Sequence, residues 1–338
     1  MEGVGMKIQR VVFPRPQVVT LEEAVLEEQD LGPHEVIAVT DASVISAGTE
    51  LANLSGQAEL LEGGTVYPFY PGYAASGRVI AAGAGAGVAV GATIYMTTRH
   101  ASAVRFDARR TICLPLPEGL DPLWAPFARL ATVSMTTLRL ARARAGDRVA
   151  VVGLGLVGNL AAQIFHSAGM EVVGYDVEGF RRDLLERCGV PAHDPAVVDH
   201  GDRSSFQMVV ETSGRSEGVV TALDLAAIGG DVALVGAPWT KATPVLATAL
   251  TQPVFLKYLR LRTGWEWELP LYDQPFQPGS IARNARYALR AIAQGAVRIA
   301  PLLTHCLTPQ QAQEAYNGLA AHRNEYLGVA FDWRAVVS

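Results

Sequence analysis

Apolar and polar positions alternate over short distances in the first part of the chain and over longer distances after it. Residues 6–125 contain short apolar or alternating runs bounded by glycine, proline or polar residues, among them 11–13, 35–40 and 77–81. Such runs predict short β-strands joined by turns. From Asp147 onward, apolar runs alternate with segments of helical spacing. Strands are predicted there at 149–153, 171–176, 207–212, 231–236 and 258–264. This alternation predicts a parallel sheet covered by helices on both faces.

The predicted elements divide the chain into two domains. Helical patterns lie between the predicted parallel strands, at 157–168, 180–188 and 216–228. Residues 128–265 are therefore expected to form a doubly wound α/β domain. Two further helical patterns, near 280–294 and 309–321, precede a strand-like run at 327–331. Because this tail is too short for a domain of its own, we expect residues 266–338 to join residues 1–127 in a second, β-rich domain.

The first predicted parallel strand leads into a glycine-rich turn that carries a recognisable chemistry. The turn reads Gly153-Leu-Gly155-Leu156-Val157-Gly158, and Asp176 ends the next strand, 18 positions after Gly158. This is the dinucleotide-binding fingerprint. Its first glycine allows a tight turn, its second lets the backbone approach a pyrophosphate, and its third lets the helix pack closely on the strand. The pyrophosphate would lie at the helix N-terminus, where unpaired N–H groups favour an anion.

The acidic residue of this fingerprint predicts which nicotinamide cofactor is bound. Asp176 would accept hydrogen bonds from the adenosine ribose and repel a 2′-phosphate, so NAD(H) is favoured over NADP(H). Arg181 follows closely and keeps NADP(H) open as the less favoured cofactor. Ligands of such sheets bind outside the carboxyl ends of the strands. Further cofactor contacts are therefore expected from Thr212, Gly214, Gly236 and Ala237.

Composition and charge exclude several other functions. Of the 338 residues, 49% are hydrophobic and 18% charged, which is enough apolar material for two cores. The net charge of −5 gives no basic surface for nucleic acid or an anionic membrane. Three scattered cysteines make no disulfide framework. With no leader or membrane span apparent, we expect a cytoplasmic protein with a small-molecule substrate.

Several segments together resemble the medium-chain dehydrogenase/reductase superfamily. Residues 44–50, Val-Ile-Ser-Ala-Gly-Thr-Glu, resemble its first zinc-site segment, and residues 71–80 resemble its Gly-His-Glu motif and following strand. Residues 209–214 and 229–236 resemble the fourth and fifth strands of its nucleotide domain. The resemblance implies a Rossmann domain, a GroES-like substrate domain and a homodimer. The Ser-Ala-Gly-Thr-Glu segment resembles a zinc-lacking branch that includes bacteriochlorophyllide dehydrogenase.

The positions at which this superfamily binds zinc carry unsuitable residues here. Ala47 replaces a cysteine and Ala52 a common histidine, and the Gly-His-Glu motif reads Gly-Tyr73-Ala. A later ligand position falls near Arg129, whose cation would repel a metal. The four-cysteine structural loop of the family is also missing from the sequence. We therefore expect no zinc.

Without a metal, other groups must act on the substrate oxygen, and the resemblance suggests candidates. Thr49 matches the hydroxyl residue that contacts substrate oxygen in that family. Tyr73 would occupy the vacated metal space, either as a proton donor whose pKa is lowered by a cation or as a space-filling side chain. Arg129 would supply that cation, bind an acidic substrate group, or form a buried ion pair with Glu50. His100, in a segment resembling one beside the family's substrate pocket, is an acid/base candidate or a polar structural residue.

These features predict a zinc-independent, NAD(H)-dependent oxidoreductase that interconverts an alcohol and a carbonyl. One alternative is an isomerase or lyase that oxidises and re-reduces its substrate with retained NAD. Others are a non-catalytic nucleotide-binding protein and an NADPH-dependent enone or quinone reductase, against which Asp176 argues.

Overall fold

The computed structural model describes residues 5–56, 64–198, 201–239 and 244–335. The strands are β1 (Met6–Arg15), β2 (Val18–Leu26), β3 (Glu35–Val44), β4 (Ala75–Ala82), β5 (Thr93–Met96), β6 (Ala103–Asp107), β7 (Cys113–Pro115), β8 (Arg148–Val152), β9 (Glu171–Tyr175), β10 (Ala192–His193), β11 (Phe206–Glu211), β12 (Ala226–Leu234), β13 (Arg260–Thr263), β14 (Leu303–Leu307) and β15 (Gly328–Asp332). The α-helices are α1 (Ala47–Ser55), α2 (Phe127–Leu140), α3 (Leu156–Ser167), α4 (Gly179–Arg187), α5 (Ser216–Leu225), α6 (Ala247–Leu256), α7 (Ile281–Ala293) and α8 (Ala312–Ala321). Single 3₁₀ turns lie at Pro195–Val197, Glu266–Glu268 and Pro309–Gln311.

The chain divides into two compact units. The first combines Met1–Arg129 with Leu303–Ser338, and the second is Leu130–Leu302. Residues 266–302 thus fold with the second unit, which differs from the boundary predicted from the sequence. The reason is visible around α7, where Asn284 accepts a hydrogen bond from Arg139 of α2. Just beyond the helix, the Arg298 N–H donates to Gln163 of α3 at 2.7 Å.

The second unit is a doubly wound parallel sheet. Its strand order is β10-β9-β8-β11-β12-β13, and every neighbouring pair is parallel. This is the 3-2-1-4-5-6 order of the Rossmann fold. Side chains of β8 alternate between two cores, with Val149 and Val151 on one face and Ala150 and Val152 on the other. Burial on both faces explains why this strand is a continuous apolar run rather than an alternating one.

The first unit is β-rich, as predicted. Its larger sheet has the order β14-β15-β3-β4-β5-β7, with β6 also pairing with β3. A separate hairpin joins β1 and β2. The C-terminal segment completes the core, because Tyr316, Phe331 and Trp333 are fully buried in one cluster with Val11 and Phe13. The first unit therefore needs both ends of the chain.

Two elements of the second unit differ in detail from the predicted pattern. The predicted helix 216–228 ends at Leu225, and β12 begins at once with Ala226. The Gly229-Gly pair, which resembled the start of a strand, therefore lies inside it. The apolar helix α6 was not predicted, because Pro253 stands within it and proline normally interrupts helical patterns.

Candidate active site and cofactor cradle

The glycine turn forms an open cradle at the start of α3. Gly153 has a φ of +89°, and a Cβ there would lie 2.7 Å from the Ser213 nitrogen. A Cβ on Gly158 would lie 1.9 Å from the Gly153 carbonyl oxygen. At Gly155, in contrast, a Cβ would meet no described atom within 4 Å, and this N-cap residue offers no side chain to the helix N–H groups. The backbone at Gly155, Leu156 and Val157 is therefore open to an anion, as a pyrophosphate requires.

Asp176 ties this turn to the end of β9. It is buried, with one carboxylate oxygen accepting the Leu154 N–H at 2.6 Å and the other accepting the Glu178 N–H at 2.9 Å. The Arg181 guanidinium lies 3.5 Å from the first of these oxygens. A carboxylate has about four lone-pair sites, so Asp176 keeps capacity for a ribose hydroxyl. Its position fits an adenosine ribose next to the pyrophosphate cradle.

The ends of β11 and β12 close the other side of the cradle. The Thr212 hydroxyl donates to the Gly153 carbonyl at 2.5 Å. Gly214 has a φ of +66°, and a Cβ there would lie 2.5 Å from the Ala237 carbonyl oxygen. The Gly236 N–H donates to the Glu211 carbonyl oxygen at 2.8 Å. The structure thus brings Gly153, Gly158 and Thr212 close to the contact between Gly214 and Ala237. This proximity is expected of residues at the carboxyl ends of neighbouring parallel strands.

Glu211 is a buried residue that organises this edge, and no role was predicted for it from the sequence. Its carboxylate accepts the Ser213 N–H at 2.7 Å, the Ser213 hydroxyl, and the Gly214 N–H at 3.3 Å. Burial raises the pKa of the Glu211 carboxyl, although these donors oppose that effect. An acidic residue two positions before a Ser-Gly turn was the available signal, because such a carboxylate can cap the turn that follows.

In the first unit, hydroxyl groups gather around Tyr73. Its phenol donates a hydrogen bond to the Ser46 hydroxyl, and the Thr49 side chain lies close enough to lower the pKa of the phenol. The Arg129 guanidinium lies over the ring, 4.8 Å from its centroid. Burial raises the pKa of the Tyr73 phenol, and the Arg129 cation and the two hydroxyls only partly offset this. The expectation that a cation lowers this pKa is therefore wrong in net direction, because desolvation is the larger effect.

Glu50 and His100 are buried behind this hydroxyl cluster. The two Glu50 carboxylate oxygens accept hydrogen bonds from three donors. The Ser46 N–H donates at 2.8 Å, His100 Nε2 lies at 3.1 Å, and the Tyr316 hydroxyl donates at 2.5 Å. Glu50 is 2% exposed and His100 is 0% exposed, so neither presents a surface to a bound molecule. Their partnership, and the participation of Ser46 and Tyr316, were not predicted.

The residues at the family's zinc position do not fit a zinc ion. Ala47 and Ala52 offer no ligand atom, the Tyr73 phenol is engaged by Ser46, and the Arg129 cation lies beside it. Across the part of the chain that the structure describes, no group of three or more His, Cys, Asp or Glu residues is arranged to hold a metal. The thiols of Cys113, Cys188 and Cys306 are free. Burial raises the pKa of the Cys113 thiol to about 12 and that of Cys188 to about 11.

Among the helices in the described ranges, none combines the length and apolar character needed to cross a bilayer.

Comparison with known proteins finds similar sequences and structures among dehydrogenases. No family model matches the sequence. The 2-desacetyl-2-hydroxyethyl bacteriochlorophyllide A dehydrogenase of Cereibacter sphaeroides is 28% identical, over 98% of this chain and 99% of that protein. Galactitol-1-phosphate dehydrogenase from Escherichia coli has a similar structure, with a TM-score of 0.80, 19% identity, and coverage of 96% of this chain and 99% of the other. A dehydrogenase from Sinorhizobium meliloti 1021 bound to NADP gives a TM-score of 0.77 at 20% identity, over 97% of this chain and 99% of the other.

Proposed function

We propose that the protein works with NAD(H) and without zinc. The proposal starts from its membership of the medium-chain dehydrogenase/reductase superfamily, as an oxidoreductase that acts on alcohols or carbonyls. The observation that carries this proposal is the hydroxyl cluster of Tyr73, Ser46 and Thr49 beside Arg129. It stands where the resemblance places the metal ligands of zinc-dependent members. The nicotinamide cofactor is supported by the family; the choice of NAD(H) and the absence of zinc are proposed.

The hydroxyl cluster can perform the proton chemistry of carbonyl reduction. When bound, NADH supplies the hydride that reduces the carbonyl carbon. The carbonyl oxygen gains negative charge and takes the proton of the Tyr73 phenol. A phenol is protonated at neutral pH, and burial raises the pKa of this one further. Thr49 donates a second hydrogen bond, and Arg129 stabilises the phenolate until solvent returns the proton. A positioned proton donor of this kind contributes about 10²–10⁴ in rate.

We infer NAD(H) over NADP(H) from Asp176. Its carboxylate lies beside the pyrophosphate cradle and would repel a 2′-phosphate. Arg181 partly neutralises Asp176, at 3.5 Å, and a structural relative binds NADP, so the preference has to be measured. We also propose that the protein is a cytoplasmic homodimer that acts on a small-molecule substrate.

The relatives suggest the class of alcohol to test. One relative is named for a hydroxyethyl bacteriochlorophyllide, and another for galactitol 1-phosphate, a sugar alcohol phosphate. We propose a secondary alcohol carried on a larger molecule. A panel should therefore contain hydroxyethyl chlorins, phosphorylated and free polyols, and simple secondary alcohols.

The proposal is tested by fluorescence titration of purified, chelator-treated protein with NADH and NADPH, with metal content measured by mass spectrometry. We expect NADH to bind more tightly, no stoichiometric zinc, and NAD⁺-dependent oxidation of a panel alcohol. Stoichiometric zinc that is needed for turnover would contradict the metal-free site. Tighter NADPH binding with enone reduction would favour the reductase alternative. Co-purified NAD with no net NADH production would favour the isomerase or lyase alternative. Cofactor binding without any turnover would favour a non-catalytic nucleotide-binding protein.

A further inference from the structure

The Glu50 carboxylate is surrounded by a buried array that the proposed proton chemistry does not use. We define the Glu50 array by its members Ser43, Glu50, His100, Tyr316 and Trp333, none of which is more than 2% exposed. A buried carboxylate is costly unless donors satisfy it. Here three donors converge on one carboxylate, and charge-assisted hydrogen bonds of this kind are among the strongest in proteins. Glu50 is thereby fixed rather than free to rearrange.

The outer members of the array favour one tautomer of the His100 imidazole. The Trp333 indole N–H, which can only donate, bonds to the Ser43 hydroxyl oxygen at 2.9 Å. Ser43 in turn lies 2.7 Å from His100 Nδ1. Ser43 can donate its own hydrogen to Nδ1, which leaves the neutral imidazole with its hydrogen on Nε2. That hydrogen points to Glu50, whose carboxylate can only accept.

The array contacts both chain segments that carry the hydroxyl cluster. Glu50 accepts the Ser46 N–H at the start of α1, and the hydroxyl of the same serine accepts from Tyr73. On the other side, the backbone N–H of His100 donates to the Pro71 carbonyl at 3.0 Å. A Cβ on Gly72 would lie 2.6 Å from the backbone nitrogen of His100 and 2.8 Å from its ring carbons, so the segment before Tyr73 packs directly on His100. The link from Glu50 to Tyr73 passes through a backbone N–H, which transmits position rather than a proton.

We propose that Glu50, held by His100 and Tyr316, is a positioning residue that keeps Ser46 in hydrogen-bond contact with Tyr73 and holds the neighbouring Thr49 beside that pair. His100 then serves by fixing Glu50 and the segment before Tyr73, and not as an acid or base. This inference rests on the proposed function, in which Tyr73 is the proton donor.

A spectroscopic test needs no substrate. Protein labelled with ¹³C at the tyrosine ζ-carbon gives one resonance per tyrosine, and Tyr73→Phe identifies that of Tyr73. We expect Tyr316→Phe and Ser43→Ala, which each remove one oxygen, to move the Tyr73 resonance at neutral pH because Tyr73 loses its fixed partners. Tyr287→Phe is the matched control, since that hydroxyl bonds only weakly to Ser167, at 3.3 Å in the other unit. An unmoved Tyr73 resonance in both folded variants would overturn the proposal.

A kinetic test separates positioning from proton transfer, using the panel alcohol that the wild-type protein oxidises. We expect Tyr316→Phe and His100→Gln to lower kcat about 10- to 100-fold, with little change in KM or in NADH binding. The pH dependence of kcat/KM should keep its shape in His100→Gln. Loss of a titrating limb near neutral pH would instead make His100 the acid or base. If no panel alcohol is oxidised, the proposed function fails, while the resonance of Tyr73 still decides whether the array positions it.

Discussion

At the residue scale, the chemistry of the site depends on burial more than on charge. Arg129 lies beside Tyr73, yet the pKa of the phenol is raised. A phenol is protonated at neutral pH even at its ordinary pKa of about 10, and the raised pKa of Tyr73 keeps its proton in place to higher pH. The reverse reaction, in which a deprotonated Tyr73 must accept a proton, therefore needs a higher pH.

Tyr73→Phe tests this role directly. We expect kcat to fall about 10²–10⁴-fold, with the dissociation constant of NADH unchanged, because no cofactor-cradle residue is altered. Thr49→Val should cause a smaller loss, since it removes one hydrogen bond and not the proton donor. Steady-state kinetics and NADH titration of the two variants check this. A Tyr73→Phe protein with wild-type kcat would remove Tyr73 from the mechanism.

Asp176 has two functions that substitution can separate. Asp176→Asn keeps an oxygen for the Leu154 or Glu178 N–H but removes the charge that opposes a 2′-phosphate. Asp176→Ala removes both the accepting oxygens and the charge. We expect the ratio of the NADPH and NADH dissociation constants to fall about tenfold in Asp176→Asn, equivalent to about 1.4 kcal/mol. Asp176→Ala should in addition lower stability, because the Leu154 N–H is left buried without a partner. An unchanged ratio in both variants would contradict the ribose assignment.

At the element scale, two glycines of one turn serve different purposes. Gly158 allows α3 to lie against the end of β8, whereas Gly155 leaves open space at the start of the helix. The fingerprint predicts both roles from spacing alone, and the backbone geometry fits them.

Alanine substitutions at these two positions should therefore affect different properties, the stability of the fold at Gly158 and NADH binding at Gly155. Gly158→Ala places a Cβ 1.9 Å from the Gly153 oxygen, so we expect a loss of about 1–3 kcal/mol in unfolding free energy from overpacking. Gly155→Ala should leave stability nearly unchanged, because the position has an ordinary φ of −59° and open surroundings. It should nevertheless weaken NADH binding. Urea unfolding and NADH titration of both proteins check the pair, and a destabilised Gly155→Ala would show that the space is not open.

The sequence predicted elements better than it predicted partners. Hydrophobic runs and the fingerprint identify β8, α3 and β9, because these signals are local. The Glu50 array could not be found in the same way, since Tyr316 lies 266 positions from Glu50 and His100 lies 50. The placement of residues 266–302 failed for a related reason: an amphipathic helix shows that it is covered, but not by which neighbour.

At the scale of the whole molecule, the first unit depends on residues from far along the chain. Trp333 is fully buried, packs against Phe331, and donates to Ser43 on β3. β15 also pairs with β3.

Trp333→Ala should accordingly cost about 3–5 kcal/mol of unfolding free energy, through the cavity it leaves. Trp267→Ala is the matched control, because that side chain is 55% exposed and its loss should change stability by less than about 0.5 kcal/mol. Urea denaturation followed by circular dichroism measures both. Equal effects of the two substitutions would show that the end of the chain is not part of the core.

The pairing of β15 with β3 also has a consequence for protein synthesis. A ribosome that adds roughly 5–20 residues per second makes β3 long before β15, and the whole second unit is translated in between. During that interval, roughly 15 to 60 seconds at this rate, β3 lacks one of its neighbouring strands, and an unpaired strand edge invites contact with other chains. The nascent first unit is therefore the part of this protein that most needs a chaperone, even though it is the first to emerge.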